Sequence, residues 1–129
     1  MWSRRGGRVS PEEQQLRRRW RFYRTAAGHE PVADFLNRLD RDDRTAVAAK
    51  LRQVVREGVT AARHLRGEIH GVRAEGDRQS FRVLFAQEGR GRVLLALEAL
   101  SKKTQRTPPE AIRLAERRLA EWRARDQKG

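Results

Sequence analysis

The spacing of apolar residues changes from a helical period to a period of two near Ile69, and this change most limits the folds open to the chain. Over residues 32–55, apolar residues recur every three to four positions, as on one face of a helix. After it, segments 69–75 and 79–87 alternate apolar and polar residues, and 93–100 is apolar on both sides. Strands that follow one another this closely pair as hairpins. We therefore expect an α+β fold, with helices packed on a small antiparallel sheet.

Two helices are predicted upstream of these strands, joined by a tight acidic turn. The first opens at Glu30-Pro31, and Asp40 to Asp43 supply an N-cap and first-turn acids for the second, which ends at Gly58. Together they predict an antiparallel helical hairpin. A strand is predicted over 19–25, and a C-terminal helix that starts at Pro108-Pro109-Glu110, with Thr107 as its N-cap, completes the fold.

The length of 129 residues is typical of one compact domain. Residues 1–18 are rich in arginine and glycine and poor in apolar residues, which predicts a flexible basic extension. Residues 19–125 are predicted to form a single domain.

Lysine and arginine number 30 against 17 aspartates and glutamates, so the formal net charge is +13. A charge of this size repels itself in the folded state and favours a polyanionic partner. Nucleic acid fits this requirement because each neutralised phosphate releases condensed counterions. The composition leaves open the alternative of a solvated basic face that has no partner.

Several kinds of site are excluded by residues that the sequence lacks. Without cysteine, there are no disulfides, thiolate nucleophiles or Cys-ligated zinc. The histidines (His29, His64 and His70) are too scattered to form a metal-ligand spacing, so we expect no cofactor. No apolar run is long enough to span a bilayer, and no secretory signal is recognised. We expect a cytoplasmic protein without a membrane partner.

Four basic side chains are candidates for chemistry on a phosphate. Arg73 and Arg82 are predicted on the strand face opposite the large apolar residues, and Lys102 and Lys103 follow the last strand. In an antiparallel sheet these positions converge on one concave surface. Arginines there can bind a phosphate through paired hydrogen bonds and stabilise a pentavalent phosphorane. The alternative is that each side chain is only solvated.

Such a surface is sufficient for RNA cleavage without a metal, because the 2′-hydroxyl of the substrate is the nucleophile. A lysine whose pKa is depressed by like-charged neighbours can donate or accept the proton. Arg78 and Arg106 are assigned to RNA binding. His70 is expected to be structural and to face away from Arg73, and His64 is expected in a loop. Glu98 is interpreted as a strand-edge residue or a partner of one of the cations.

Four segments resemble a known family of small toxins: Pro31-Val32-Ala33-Asp34-Phe35-Leu36, Phe81-Arg82-Val83-Leu84-Phe85, Val93-Leu94-Leu95-Ala96-Leu97, and Lys102-Lys103-Thr104-Gln105-Arg106-Thr107-Pro108. Over roughly residues 20–122, the chain is similar to the phage-derived Gp49-like, HigB-type toxins of the RelE superfamily. The resemblance implies a RelE-like fold and a ribosome-dependent, metal-free mRNA endonuclease. It also implies a helix-turn-helix antitoxin (HigA-like) as the neutralising partner.

The resemblance implies roles for individual residues. Arg82 matches the arginine of the family's R-V-L strand, Arg73 matches that of its E-L-R strand, and Lys102-Lys103 match the basic pair after the last strand. Gly71 departs from the pattern, because the family usually has glutamate there. Some superfamily members also use a tyrosine near the C-terminus as a catalytic group, whereas the single tyrosine here is Tyr23.

Three functions are consistent with these residues. The first is an endonuclease toxin of a type II toxin–antitoxin system that acts on ribosome-bound mRNA, with Arg82 at the scissile phosphate. The second is a non-catalytic RNA- or ribosome-binding module derived from such a toxin. The third is a protein-binding partner of a DNA-binding regulator, in which the charge serves only complex formation.

Overall fold

The computed structural model describes residues 18–102 and 106–128. Within these residues the chain forms five strands, three α-helices and two short 3₁₀ helices. In chain order the elements are β1 (Arg19–Phe22), α1 (Pro31–Arg38), α2 (Arg41–Glu57), a 3₁₀ turn (Gly58–Ala61), β2 (Arg63–Arg66), β3 (Ile69–Glu75), β4 (Ser80–Glu88), a second 3₁₀ turn (Gly89–Gly91), β5 (Val93–Lys102) and α3 (Pro109–Lys128). All but one residue of the predicted basic extension over 1–18 lies outside the described residues.

The strands form one sheet in the order β1-β5-β4-β3-β2. The pairs β2–β3, β3–β4 and β4–β5 are antiparallel, as predicted, whereas β1 runs parallel to β5. The α+β class is therefore confirmed, but the sheet is mixed rather than wholly antiparallel. Alternation of side chains does not encode strand direction, and the two helices between β1 and β2 are long enough to carry the chain across the sheet.

Helices cover both faces of the sheet. On one face, α1 and α2 pack on a core that includes Val32 and Val54 from the helices and Phe81, Val83 and Phe85 from β4. On the other face, α3 packs through Ala111, Ala115 and Leu119. Strand β5 is central and contributes to both cores, with Leu94 and Ala96 on the first face and Leu95 and Leu97 on the second. Its predicted apolar character on both sides is confirmed.

Local signals set most element boundaries. Asp40 caps α2 by accepting a hydrogen bond from the backbone N–H of Asp43 at 2.9 Å. Gly58 ends that helix with φ of 73°, which glycine adopts without strain. Strand β1 is shorter than predicted and ends at Phe22, although the backbone N–H of Tyr23 still donates to the carbonyl of Ala96 at 2.9 Å. The last helix begins at Pro109.

The side chain of Trp20 ties β1 to the helical layer. Its Nε1 donates to the backbone carbonyl of Leu51 in α2 at 2.8 Å, and its ring meets Phe85 edge-on at 5.0 Å. The indole thus buries its apolar surface while its one polar group is satisfied. This contact holds α2 over the sheet and leaves the opposite face to α3.

Candidate functional site

Arg73 and Arg82 are direct cross-strand neighbours in the β3–β4 pair. Residues opposite one another in an antiparallel pair point to the same face, so both side chains lie on the α3 side of the sheet. Arg82 is only 4% exposed, whereas about a third of the Arg73 side chain reaches solvent. The sequence prediction that these two cations share one surface agrees with this register.

A carboxylate, Glu75, lies beside the two arginines, two residues beyond Arg73 on the same strand face. Glu75 Oε2 lies 2.6 Å from Arg73 Nε. The pKa of Arg82 lies below its usual value, chiefly because burial removes water from the guanidinium and next because Arg73 repels it; Glu75 acts in the opposite direction. A bound anion would lower the electrostatic energy of two cations held this close together.

Two adjoining hollows open beside these arginines. The smaller one, called here the arginine hollow, is lined by Arg63, Leu65, Gly71, Val72, Arg73, Arg82 and Thr107. The larger one, of about 470 Å³, extends toward the start of α3 and is lined by Arg63, His64, Leu65, Arg66, Arg106, Thr107, Pro109 and Ile112. They share Arg63, Leu65 and Thr107, so they adjoin each other, and together they are called here the cationic groove, between β2 and the start of α3.

The structure brings some of the other predicted site residues to this groove. Arg106 is exposed and lines the larger hollow. Lys102 ends β5 and pairs with Ser80, two residue pairs beyond the Leu100–Arg82 pair. Arg78 is exposed in the turn between β3 and β4, outside the lining of both hollows. Lys103 lies outside the described residues.

Arg63 is a groove residue that the sequence did not reveal. It opens β2, whose Cα register places it opposite Gly71. Strand β2 has four residues, of which one is apolar, so it is too short to show a period of two. For the same reason no strand was predicted at His64, and the loop predicted there is wrong. The residue that could have indicated a strand here is Gly67, which has a φ of 54° and forms the turn from β2 into β3. The structure corrects His64 to a strand residue paired with His70.

At Gly71, where the sequence departs from the family pattern, the side chain of Leu65 lies against the backbone. A Cβ added to Gly71 would lie 2.9 Å from Cδ1 of Leu65 in β2. The glycine therefore gives Leu65 the space that a side chain on β3 would occupy. An apolar side chain lines the arginine hollow at the position where the resemblance predicts a carboxylate.

Tyr23 is remote from the groove and holds α3 instead. The ring is 3% exposed, and its hydroxyl donates to Glu121 Oε1 at 2.6 Å. Burial, followed by the hydrogen bond and charge of Glu121, raises the pKa of Tyr23 above its usual value. Glu98 serves α3 as well: its Oε1 accepts from Arg118 Nη1 at 3.2 Å, so its described cationic partner is Arg118 rather than a groove residue.

His70 faces away from Arg73, as predicted. Its ring stacks on Phe85, in the core beneath α1 and α2, with 5.7 Å between ring centroids. The ring of His64 meets the ring of His70 edge-on, with 5.4 Å between the ring centroids. Burial and the nearby charge of His64 lower the pKa of His70.

Comparison with known proteins agrees with the sequence resemblance. No curated protein matches the chain. Among the described residues, no helix is both long and apolar enough to cross a membrane. The family described as phage-derived protein Gp49-like (DUF891) matches residues 34–120, about two thirds of the chain, and this segment contains Arg63, Arg73 and Arg82. On the extent of this match, the chain belongs to the phage-derived Gp49-like family, whose members are toxin-like proteins of toxin–antitoxin contexts.

Proposed function

We propose that this protein is the toxin of a type II toxin–antitoxin system, and that residues 19–125 form a domain that cleaves mRNA on the ribosome. The observation that carries the proposal is the cross-strand pair of Arg73 and Arg82 beside a groove that also contains Arg63. Guanidinium groups bind phosphate oxygens through paired hydrogen bonds, and three of them around one hollow match a single phosphodiester. Membership of a toxin-like family supports the same proposal.

In the proposed reaction, the RNA supplies its own nucleophile. The 2′-oxygen attacks the adjacent phosphorus, the bond from phosphorus to the 5′-oxygen breaks, and the products are a 2′,3′-cyclic phosphate and a 5′-hydroxyl. Arg73 and Arg82 stabilise the extra negative charge of the phosphorane, and stabilisation of this kind often contributes more to the rate than any other effect. This role requires donors already held in place, and the burial of Arg82 in β4 supplies that rigidity.

Two protons have to move in this reaction, one from the 2′-hydroxyl and one to the leaving 5′-oxygen. We assign these transfers to Lys102 and Lys103, at the end of the strand paired with β4 and just beyond it. A lysine can fill these roles when like-charged neighbours lower its pKa. Arg78 and Arg106 are assigned to binding the RNA on either side of the scissile linkage, and the neutralising partner is a helix-turn-helix antitoxin.

A second function, RNA or ribosome binding without cleavage, is favoured by two observations on the groove. Leu65 occupies the space beside Gly71 where a carboxylate side chain would otherwise lie. The hydroxyl of Tyr23 is bonded to Glu121 and is remote from the arginines. Neither a carboxylate at position 71 nor a tyrosine hydroxyl is therefore available in this groove to transfer a proton.

The two functions are separated by mapping RNA ends. Purified ribosomes with a defined mRNA are incubated with the protein, and primer extension locates new 5′ ends. Cleavage in register with one ribosomal site is the expected result. Arg82→Ala is expected to lower the cleavage rate about 100-fold or more, in line with the loss of one charge-stabilising donor. Intact mRNA on ribosomes that retain the protein would overturn the endonuclease proposal and leave the binding module.

A matched control separates the role of Arg82 from general loss of charge. Arg52 is exposed on α2, on the opposite side of the sheet, and Arg52→Ala removes the same charge. This variant is expected to cleave at the parent rate. Arg82→Lys is a second probe: it keeps one positive charge but not the planar fork, and slower cleavage is expected at a temperature where both proteins remain folded.

A further inference from the structure

A second cationic surface runs along the edge strand β1, away from the arginine hollow. The side chains of β1 alternate, with Trp20 and Phe22 packed on the α1–α2 side and Arg19 and Arg21 on the α3 side. Arg21 is exposed, and its guanidinium carbon lies 4.8 Å from the ring centre of Trp122 in α3. This is the distance of a cation–π contact.

The surface continues beyond the end of β1. Arg24 and Arg125 join Arg21 and Trp122 around an open hollow of about 230 Å³. Arg125 donates to the backbone carbonyl of Arg24, and its guanidinium carbon lies 5.5 Å from the ring centre of Tyr23. Arginine and aromatic side chains therefore alternate in space across this surface. The name basic stripe is used here for Arg19, Arg21, Arg24 and Arg125.

The basic stripe and the arginine hollow are separate sites on the same side of the sheet. Arg21 is in register with Leu95 and Arg82 with Leu100, and β1 lies three strands away from β3. With about 4.8 Å between strands and about 3.3 Å per residue, the two sites are on the order of 20 Å apart. They lie near opposite ends of α3, since Ile112 lines the groove and Trp122 the stripe.

We propose that the basic stripe is a second RNA-binding site, which takes a single-stranded segment. The phosphates lie along the arginines, and one base stacks on the guanidinium plane of Arg21, which already rests on Trp122. Stacking on aromatic rings and arginine planes is the usual recognition of unpaired bases, and it tolerates any base because every base has a π-face.

The carboxylate of Glu121 lies next to the basic stripe and already contacts Tyr23 and Arg125. Its Oε1 accepts from the Tyr23 hydroxyl at 2.6 Å and lies 3.3 Å from Arg125. Glu121 thereby orients Arg125, while Arg21 and Arg24 remain exposed. An acidic protein segment would be attracted by this charge alone and would have no use for the stacked ring. The aromatic–guanidinium layer therefore favours RNA.

Binding can be tested independently of cleavage. The probe is a fluorescein-labelled 12-nucleotide RNA with 2′-O-methyl sugars, which has no 2′-hydroxyl to attack, and affinity is measured by anisotropy. Arg21→Gln combined with Arg24→Gln is expected to weaken binding about tenfold in 0.1 M salt. The dependence of log affinity on log salt concentration should become shallower by about 1.4, since each lost phosphate contact accounts for about 0.7.

The matched control is Arg41→Gln combined with Arg52→Gln, two exposed positions of α2 on the opposite side of the sheet. This control removes the same charge and should leave affinity within about twofold, because exposed charges beyond a Debye length are screened. Equal loss in both double variants would overturn the proposal, because it would mean that only net charge matters.

Stacking is tested with the same RNA carrying abasic sites, which keeps the phosphates and removes the bases. The abasic strand should bind the parent protein about five- to tenfold more weakly, and Trp122→Leu should abolish that difference. Trp122→Phe, which keeps a ring, should restore it. Equal affinity of the parent for both strands would overturn the proposal and favour an acidic protein segment as the occupant. Failure of mRNA cleavage would leave these expectations unchanged, since the probe cannot be cleaved.

Discussion

Arg73 lies directly opposite Arg82 across the β3–β4 pair, so two guanidinium groups face one another where sheets normally place opposite charges or apolar residues. This arrangement is unfavourable for the fold. Burial and repulsion by Arg73 both lower the pKa of Arg82, and the charge of Glu75 offsets them in part. A site that keeps like charges together is typical of a surface built to receive an anion.

The first prediction concerns the cost of this pair to stability. Arg73→Thr removes the repulsion and keeps a residue that suits a strand. We expect the free energy of unfolding to rise by about 0.5–1 kcal/mol, and RNA cleavage to fall. Thermal unfolding in low and high salt checks this, because salt screens the repulsion and the gain should shrink at high salt. Lower stability at both salt concentrations would contradict it.

Tyr23 is predicted to be structural. Tyr23→Phe keeps the ring but removes the hydrogen bond to Glu121, so the free energy of unfolding should fall by about 1–2 kcal/mol. Cleavage should not change. Loss of cleavage in a variant as stable as the parent would instead place the hydroxyl in the chemistry.

Tyr23→Phe should also change how the stability of the protein depends on pH in alkaline solution. Because the pKa of Tyr23 is raised in the folded state, the unfolded chain loses this proton first as the pH rises. The stabilisation from the neutral hydroxyl is therefore complete below about pH 10, the usual tyrosine pKa. It declines as the pH rises through the folded-state pKa. The melting temperatures of the parent and Tyr23→Phe should converge in this range.

The lowered pKa of His70 predicts that the protein loses stability in mild acid. Its pKa is lowered by burial and by His64, so the unfolded chain binds this proton first as the pH falls below about 6.5. The parent should lose stability from about pH 7 toward about pH 5, and His70→Phe should lose less over the same interval. His29→Gln, an exposed loop position, is the control. Parallel stability curves for the parent and His70→Phe would contradict the prediction.

Gly71 in β3 and Gly76 in the turn after it should respond differently to replacement by alanine. A Cβ on Gly76 would lie 2.8 Å from the backbone oxygen of Gln79 and 2.5 Å from Cε2 of Phe81. Neither atom can move away without disturbing the turn or the core. We expect Gly76→Ala to lower the free energy of unfolding by about 2–3 kcal/mol. At Gly71 the obstacle is the end of the Leu65 side chain, so Gly71→Ala should cost less than about 1 kcal/mol. Denaturant titration of both variants distinguishes them; equal costs would contradict this account.

The elements that carry strong local signals are the ones that could be predicted. The acidic cap at Asp40 and the glycine at Gly58 bound α2 as expected, and strand 69–75 agrees residue for residue with β3. Arg73 and Arg82 were predicted on one face of the sheet, and the structure places them there. Their direct cross-strand register was not predicted, because it depends on the geometry of the turn at Gly76.

Other features depend on partners far away in the chain. Arg63 belongs to the groove only because β2 forms the far edge of the sheet, and four residues with one apolar side chain carry no periodic signal. The direction of β1 is set by its pairing with β5, and the stack of Arg21 on Trp122 joins residues from opposite ends of the domain. No pattern within one segment reports such contacts.

By itself, then, the sequence determined the α+β class, the two helices before the antiparallel strands, the central hairpin of the sheet and the shared face of two arginines. Each of these follows from hydrogen bonds and side-chain periods that act over a few residues. The tertiary structure alone decided the mixed sheet, the place of Arg63 in the groove, and the separation of that groove from the basic stripe. These depend on which edges and helix ends meet when both faces of the sheet are buried, and burial is a property of the whole chain.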